Sequence, residues 1–178
     1  MSKIAVFRSW NSVLNIHERR LPATAAEVGA LLDTLHTPGN LLWPDEKWPA
    51  STMDKGLTVG ATGGHAVIRY RVAEYIPGRR VEYAFGSIAL LPVFRGRHYF
   101  EVIPRAGETV LRHTIDVQTV PGTWFRWKVM VECLHDALLE DLFDKAERNL
   151  GVARPHRSRW SWYVRLMVWV RKRHRRAR

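Results

Sequence analysis

Residues 123–150 read TWFRWKVMVECLHDALLEDLFDKAERNL, the longest segment of the chain with the period of an amphipathic helix. Apolar residues recur there at spacings of three and four, which places them on one helical face. They are Val131, Leu134, Leu138, Leu142 and Ala146. Thr123 can cap the N-terminus, and Gly151 stands where a C-terminal glycine is favoured. The segment therefore predicts one helix that, at about 1.5 Å per residue, is long enough to cross a whole sheet.

The opposite face of this predicted helix carries an acidic row at intervals of four residues. Its members are Glu132, Asp136, Glu140 and Asp144. From Glu132 to Glu147 the segment holds six acids and a single lysine, Lys145. The row is therefore a candidate surface for basic residues elsewhere in the chain.

The chain before this helix has the alternating pattern of antiparallel strands. Ser12–Leu21 predicts a first strand, and residues 22–36 predict a short amphipathic helix. Further strands are predicted at His65–Ile76, Arg80–Phe85, Arg97–Ile103 and Glu108–Val120. A meander followed by one long amphipathic helix buries its apolar surfaces most simply when the sheet curls around the helix. We therefore predict an α+β fold, a curved antiparallel sheet wrapped around a long C-terminal α-helix.

The charge is concentrated at one end of the 178 residues. Ten of the 28 basic residues lie between Arg154 and Arg178, where no acid occurs. The other 18 nearly balance the 17 acids, so the body carries a net charge of only +1 and the tail carries +10 of the total of +11. We predict an N-terminal arm at 1–11, one domain at 12–151 and a basic aromatic tail at 152–178 that is helical in part.

Composition narrows the class of protein. With 46% hydrophobic and 25% charged residues the chain is typical of a globular protein. Its one cysteine, Cys133, excludes an internal disulfide and a cysteine-based metal cluster. The first residues contain only a four-residue apolar run, which is too short for a signal peptide, so a cytoplasmic location is expected.

Three features together resemble the START-like, or helix-grip, superfamily (SRPBCC), which includes polyketide cyclase/dehydrase-like proteins and allergens of the Bet v 1 type. One is the amphipathic helix directly after the first strand. The others are GGHAVIRYRVAEYIPGRRVEY at Gly63–Tyr83 and HDALLEDLFDKAE at His135–Glu147. The resemblance covers about residues 12–150. It implies a seven-stranded sheet that grips the C-terminal helix, with a cavity for an apolar ligand between them.

Members of this superfamily range from lipid and steroid carriers to cyclases and oxygenase subunits, so the resemblance does not decide the activity. An oxygenase would need an iron site of two histidines and a carboxylate. The eight histidines of the chain include no pair with local ligand spacing, and we expect neither a metal nor a cofactor.

Candidate ligand contacts are the polar or aromatic residues that fall on the apolar phase of a strand or near the helix start. The strands supply Tyr70, His98, Phe100 and His113, and the helix supplies Trp124, Trp127, Met130, Leu134 and His135. Each of the polar ones can instead be a hydrogen-bonded core residue. If two histidines meet in one cavity, His98, His113 and Tyr70 are the candidates for acid–base catalysis, because imidazole titrates near neutral pH.

The tail contains too few consecutive apolar residues to span a bilayer. On a helical wheel Trp160, Tyr163, Leu166, Met167 and Val170 gather on one side. Candidate membrane or docking residues are Trp160, Trp162, Tyr163, Arg165, Trp169, Arg171, Lys172 and Arg173. Three interpretations remain open: attachment to an anionic membrane surface, docking onto the body or a second copy, and nucleic-acid binding, which is the least favoured because it does not use the apolar residues.

The sequence thus supports two functions. The first is binding or carrying a hydrophobic small molecule, lipid-like or polyketide-like, with attachment to a membrane through the tail. The alternative is an enzyme of the polyketide cyclase/dehydrase type that uses histidine and tyrosine as acid and base without a metal.

Overall fold

The computed structural model describes residues 2–6, 12–88, 94–120, 122–152 and 158–176. These residues contain one antiparallel sheet of eight strands. The strands are β1 (Ser2–Val6), β2 (Ser12–Leu21), β3 (Thr52–Met53), β4 (Thr62–His65), β5 (Ile68–Ile76), β6 (Arg80–Ile88), β7 (Phe94–Arg105) and β8 (Glu108–Thr119). Their order across the sheet is β1-β2-β8-β7-β6-β5-β4-β3, so β3 to β8 form a meander and β2 pairs with its last strand.

The helices lie before and after this meander. They are α1 (Ala25–Asp33), α2 (Thr123–Arg126), α3 (Glu132–Asn149) and α4 (Trp162–Arg176), with a π-helical turn at Trp127–Val131 between α2 and α3. The predicted α+β class, a sheet around a long C-terminal helix, is confirmed. The long helix begins at Thr123 as predicted, but a π-helical turn interrupts its α-helical hydrogen bonding.

The N-terminal residues differ from the expected loose arm. Ser2–Val6 pairs antiparallel with β2, from Ser2 opposite Glu18 to Val6 opposite Leu14. The outer edge of β2 would otherwise present unpaired backbone N–H and C=O groups, and an extended segment satisfies them. This strand adds to the seven that the resemblance implied. Residues 1 and 7–11 of the predicted arm lie outside the described residues.

The strand predicted at His65–Ile76 begins only at Ile68, because a tight turn separates it from β4, which ends at His65. Ala66 has a positive φ of 49°, which stops β4 at His65 and lets β5 begin at Ile68. Gly64 has a φ of 151°, and a Cβ there would lie 1.9 Å from the carbonyl oxygen of Ile68. The glycine therefore permits a backbone approach that no other residue would allow.

Helix α1 is fixed at both ends. Thr24 caps its N-terminus and forms a reciprocal capping box with Glu27. At the other end the Asp33 carboxylate accepts hydrogen bonds from the Tyr75 hydroxyl (2.9 Å) and the Gly78 N–H (2.8 Å). Helix α1 thus packs against the turn between β5 and β6, where Gly29 meets the backbone of Gly78.

The core lies between the sheet and α3. Leu138, Leu142 and Ala146, which were predicted on the buried face, are buried, and so are Leu139 and Phe143. Burial of one such side chain contributes about 1.5–3 kcal/mol. Helix α3 is therefore buried on more than one side, because the sheet, residues 40–51 and α4 all pack near it.

The acidic row of α3 faces the sheet. Glu132 and Asp144 are buried, and the row meets strand β2, whose buried phase is partly polar: Val13, Asn15, His17, Arg19 and Leu21. His17 donates to Asp136, and the Arg19 guanidinium contacts Glu140 (2.9 Å) and Glu147 (2.9 Å). The acids therefore pair with cationic or imidazole groups of β2, because burial without partners would be costly.

Candidate functional site

Four neighbouring strands place polar aromatic side chains on the inner face of the sheet. They are Tyr70 on β5, Tyr83 on β6, His98 on β7 and His113 on β8, and all four are buried. The antiparallel register sets Tyr83 directly opposite His98, and Phe100 opposite His113. Because side chains alternate between faces, each strand contributes to the same interior surface.

These four side chains are in mutual contact. The Nδ1 of His98 lies 3.4 Å from the Nε2 of His113. The ring of His98 stacks on that of Tyr83, with centroids 4.8 Å apart, and meets the Tyr70 ring edge-on at 5.0 Å. Tyr70, His98 and His113 are buried, as residues on the apolar phase of a strand are expected to be, and the structure brings them together.

Three further polar residues join this group from outside the main strands. The Tyr70 hydroxyl is hydrogen-bonded with Ser51 Oγ (2.6 Å) and lies 3.3 Å from His65 Nδ1. The Tyr83 hydroxyl is hydrogen-bonded with His36 Nε2 (2.7 Å). We call the whole set the interior cluster: His36, Ser51, His65, Tyr70, Tyr83, His98 and His113.

Sequence reasoning missed four members of the interior cluster. The alternation of β6 contains a usable signal for Tyr83, since Val81 and Tyr83 share one phase. His36 and Ser51 lie in irregular segments, where no period indicates which way a side chain points. His65 precedes the turn at Ala66, so the apparent phase of the long predicted strand does not apply to it.

Two ring nitrogens of the interior cluster have no hydrogen-bond partner among the described residues. They are His98 Nε2 and His113 Nδ1, and both are buried. An unsatisfied buried polar group costs about 1–3 kcal/mol, and native proteins contain few of them. The cluster therefore has hydrogen-bonding capacity that the described residues do not use.

Burial keeps the interior cluster uncharged. It lowers the pKa of His98 and His113 well below that of a solvated imidazole, and it lowers the pKa of His36 to about 4 and that of His65 to about 3. Burial also raises the pKa of Tyr70 to about 12. At neutral pH the imidazoles are thus neutral and the phenol is protonated, so the set offers both acceptors and donors.

The long helix contributes some of its predicted residues to this interior. The ring centroid of His135 lies 5.1 Å from that of His113 and 5.7 Å from that of Trp127, which is buried. Leu134 is half-buried against the core, and Trp124 packs near Ile115 and Val117. Met130 is 44% exposed, because the π-helical turn directs it away from the sheet.

One group of side chains at the edge of the interior has the donor types of a metal site. His17 of β2 and His135 and Asp136 of α3 each offer a ligand atom, and these atoms lie within 4.8 Å of one another. A pattern of closely spaced histidines in the sequence cannot reveal this group, because His17 is 118 residues from His135 along the chain.

The tail docks onto the body. Asp141 of α3, which is 1% exposed, accepts hydrogen bonds from Trp160 Nε1 (2.8 Å) and Ser158 Oγ (3.0 Å). Val164 and Val168 of α4 are buried in the core. The side of α4 that docks is not the one on which Leu166 and Met167 lie: these two are exposed, whereas Val164 and Val168 are buried.

The remaining tail candidates lie on the outer side of α4 or half-buried beside it. Trp162, Arg165, Trp169 and Arg173 are exposed, and Tyr163 is half-buried. The side chains of Arg171 and Lys172 lie outside the described part of the structure. In that part, no helix has the length and apolar character needed to cross a bilayer.

Comparison with known proteins is informative only at the level of structure. No protein-family model matches the sequence, and no curated protein matches it. A protein from Thermobifida fusca superposes with a TM-score of 0.61 at 19% identity, over 83% of this chain and 99% of its own. Norcoclaurine synthase from Thalictrum flavum gives 0.59 at 11% identity, over 86% and 98%. CalU16 from Micromonospora echinospora gives 0.56 at 12%, over 86% and 73%.

These superpositions extend over 83 to 86% of the chain. The chain has the helix-grip fold. Among the helix-grip proteins named above, norcoclaurine synthase is an enzyme, and a point mutant of it has been solved with a transition-state analogue. At identities of 11 to 19% the likeness extends to the fold, so the function of this helix-grip protein is argued from its own side chains.

Proposed function

We propose that this helix-grip protein binds a small, largely apolar molecule between the sheet and α3. The observation that supports this is the pair of buried ring nitrogens at His98 and His113 that lack partners among the described residues. A bound molecule with a carbonyl or hydroxyl group would satisfy some of them, which makes binding favourable relative to the free protein.

The chemistry of the interior cluster also suggests the class of ligand. Its imidazoles are neutral and its phenols protonated, so it suits an uncharged polar group better than a carboxylate or an ammonium. The rings of Tyr70, Tyr83, His98 and Phe100 offer faces and edges for an aromatic or polyene body. A polyketide-like or lipid-like molecule fits both requirements.

Native mass spectrometry of the purified protein, with solvent extraction of what co-purifies, tests whether a ligand is carried. Titration with 1-naphthol, an uncharged aromatic alcohol, then tests where it binds. We expect Tyr70→Phe and His98→Gln to weaken binding about tenfold, which corresponds to one hydrogen bond. Tyr99→Phe is the matched control. Tyr99 follows His98 on β7, but its ring lies on the outer face against Arg80, so this variant should bind normally. Equal affinity in all four proteins would contradict the proposal.

A second candidate is an acid–base enzyme of the cyclase/dehydrase type, which the pairing of His98 with His113 favours. His98 Nε2 could accept a proton from a carbon next to a substrate carbonyl, while the Tyr70 hydroxyl donates a hydrogen bond to the developing enolate oxygen. The proton on His98 would then pass to a leaving hydroxyl, so that water departs and the enzyme is regenerated.

Proton exchange tests this candidate without knowledge of the natural substrate. An aryl methyl ketone is incubated with the protein in D2O, and loss of the methyl proton signal is followed by NMR. Acceleration that disappears in His98→Gln but persists in Tyr99→Phe supports the enzyme. No acceleration by the unmodified protein, together with normal 1-naphthol binding, leaves the carrier as the function.

We further propose that α4 attaches the protein to an anionic membrane surface at the cytoplasmic side. Trp162, Leu166 and Trp169 are 76%, 46% and 55% exposed, and they share the outer side of α4 with Arg165 and Arg173. Exposed tryptophans beside arginines suit the headgroup region, where each basic residue contributes about 1 kcal/mol. Docking of the inner side through Val164 and Val168 leaves this outer side available.

Flotation with phosphatidylserine-containing vesicles tests the attachment. We expect the full chain to float and the Trp162→Ala/Trp169→Ala variant to remain at the bottom of the gradient. Val59→Ala/Val67→Ala, which removes two exposed apolar residues elsewhere, is the control and should float. Equal flotation of all three proteins would contradict the role of α4 and leave self-association or nucleic-acid binding as its use.

A further inference from the structure

Two histidines and one aspartate converge at the seam between β2 and α3. His17 Nε2 lies 2.9 Å from Asp136 Oδ1, and His135 Nδ1 lies 3.9 Å from the same oxygen. In a tetrahedral site with bonds of about 2.0–2.1 Å, neighbouring ligand atoms are about 3.3 Å apart. The observed separations bracket that value, so small rotations of the side chains would bring all three donors to one ion.

Access to this group is graded from solvent to interior. The side chain of Asp136 is 27% exposed, that of His135 is 13% exposed and that of His17 is fully buried. An ion can therefore enter past Asp136 without opening the core. On the inner side, the rings of His113 and Trp127 border His135.

The charge of the same seam favours a cation. One to three helical turns further along α3, Glu140, Asp144 and Glu147 surround the guanidinium of Arg19. Each of these carboxylates adds negative charge, partly shielded from water, to the seam next to Asp136. A divalent ion would reduce it, and the Arg19 contacts also hold β2 and α3 in fixed positions for binding.

We propose that His17, His135 and Asp136 form a binding site for a divalent first-row transition metal ion such as Zn²⁺. Two imidazoles and a carboxylate are a donor set that suits Zn²⁺ and its neighbours and that is less suited to Ca²⁺ or Mg²⁺. Three protein ligands leave a fourth position for water or a substrate oxygen. The ion would lie beside the interior cluster and would bind whether or not the protein carries an apolar ligand.

Calorimetric titration of the metal-free full chain with Zn²⁺ tests the site. We expect one equivalent to bind, with affinity reduced about 100-fold or more in His17→Gln, His135→Gln and Asp136→Asn. Asp45→Asn, which replaces an exposed carboxylate that pairs with Lys145 away from the seam, is the matched control and should bind normally. Two results would overturn the proposal: no binding by the unmodified chain, or binding that survives the three replacements and is lost in His156→Gln/His174→Gln.

Paramagnetic NMR on the unmodified chain gives an answer even if a variant fails to fold. Co²⁺ replaces Zn²⁺ in sites of this kind and broadens signals of nuclei close to it. We expect the broadening to centre on the amides around His17 in β2 and around Asp136 in α3. Broadening centred on the tail, or spread evenly over the surface, would overturn the site.

Discussion

The buried histidines make the stability of the fold depend on pH. His36 follows α1, has a positive φ of 65° and is hydrogen-bonded through Nε2 with the Tyr83 hydroxyl. Its pKa is lowered to about 4 because it is buried, so the protein holds it as a neutral imidazole. At neutral pH a neutral imidazole at this position does not lower the free energy of unfolding. In acid the free energy of unfolding falls, because the unfolded imidazole binds a proton that the buried one does not.

This gives a prediction for stability against pH. An unfolded histidine takes up a proton below about pH 6.5, whereas folded His36 does so only near pH 4. Its contribution is therefore complete above pH 6.5 and is lost as the pH falls to about 4, by up to about 3 kcal/mol. His36→Gln keeps a hydrogen-bonding group for Tyr83 but does not titrate. Urea denaturation at pH 7 and pH 4.5 should show a smaller decrease in the free energy of unfolding for the variant, and an equal decrease would contradict it.

The alternation of side chains between the two faces of a strand predicted part of the site from the sequence. Tyr70, His98 and His113 were found because an alternating strand fixes the side to which each residue points. His17 was not selected, because it shares its strand phase with Asn15 and Arg19 and this phase looks solvent-facing. Its burial depends on the acids of α3, which are more than 100 residues away in the chain. A pattern within one strand contains no information about such a partner.

At the scale of elements, regular segments were predictable and their interruptions were not. The long helix, β2 and the meander follow from their periods, but the turn at Ala66 and the π-helical turn at Trp127–Val131 do not disturb the apolar pattern. Helix α1 was predicted to begin after Pro22, and it begins after Thr24 because the capping box with Glu27 satisfies its first N–H groups.

The packing of α1 on the β5–β6 turn gives a second prediction. A Cβ at Gly29 would lie 2.4 Å from the carbonyl oxygen of Gly78, which is backbone and cannot easily move. We expect Gly29→Ala to lower the free energy of unfolding by about 1–3 kcal/mol, although alanine is the better helix former. Gly39→Ala, where no atom lies within 4 Å of the new Cβ, is the control and should leave stability nearly unchanged. Thermal or urea denaturation measures both, and a stabilised Gly29→Ala would refute the packing.

At the scale of the whole molecule, Asp141 joins parts that are distant in sequence. Besides the hydrogen bonds from Ser158 and Trp160, it accepts one from Trp48 Nε1 (2.8 Å) and forms an ion pair with Lys47 Nζ (2.5 Å). Residues 40–51, α3 and the tail thus meet at one buried carboxylate. The sequence indicated that acids of the long helix could dock the tail, but not that Trp and Ser would be the donors in place of arginine.

A third prediction follows for this junction. Asp141→Asn keeps the shape of the side chain but removes its charge and directs an NH2 group at neighbouring donors. Removing one partner of a buried charged network costs about 3–5 kcal/mol, and we expect a loss of free energy of unfolding in that range. Asp45→Asn breaks a solvent-exposed pair with Lys145 and should cost less than about 1 kcal/mol. Chemical denaturation of both variants measures the difference, and similar values would show that Asp141 is not a structural centre.

Residues 40–51 and the tail are thermodynamically linked, because both donate hydrogen bonds to the Asp141 carboxylate. Residues 40–51 reach the interior cluster, since the rings of Trp43 and His65 are 4.7 Å apart and the adjoining Ser51 is hydrogen-bonded with Tyr70. A surface or partner that detaches the tail is therefore expected to change the packing of residues 40–51, and by reciprocity a ligand that orders these residues changes the docking of the tail by the same free energy. A chain shortened before Ser158 is thus expected to bind ligands differently, although none of the removed residues belongs to the interior cluster.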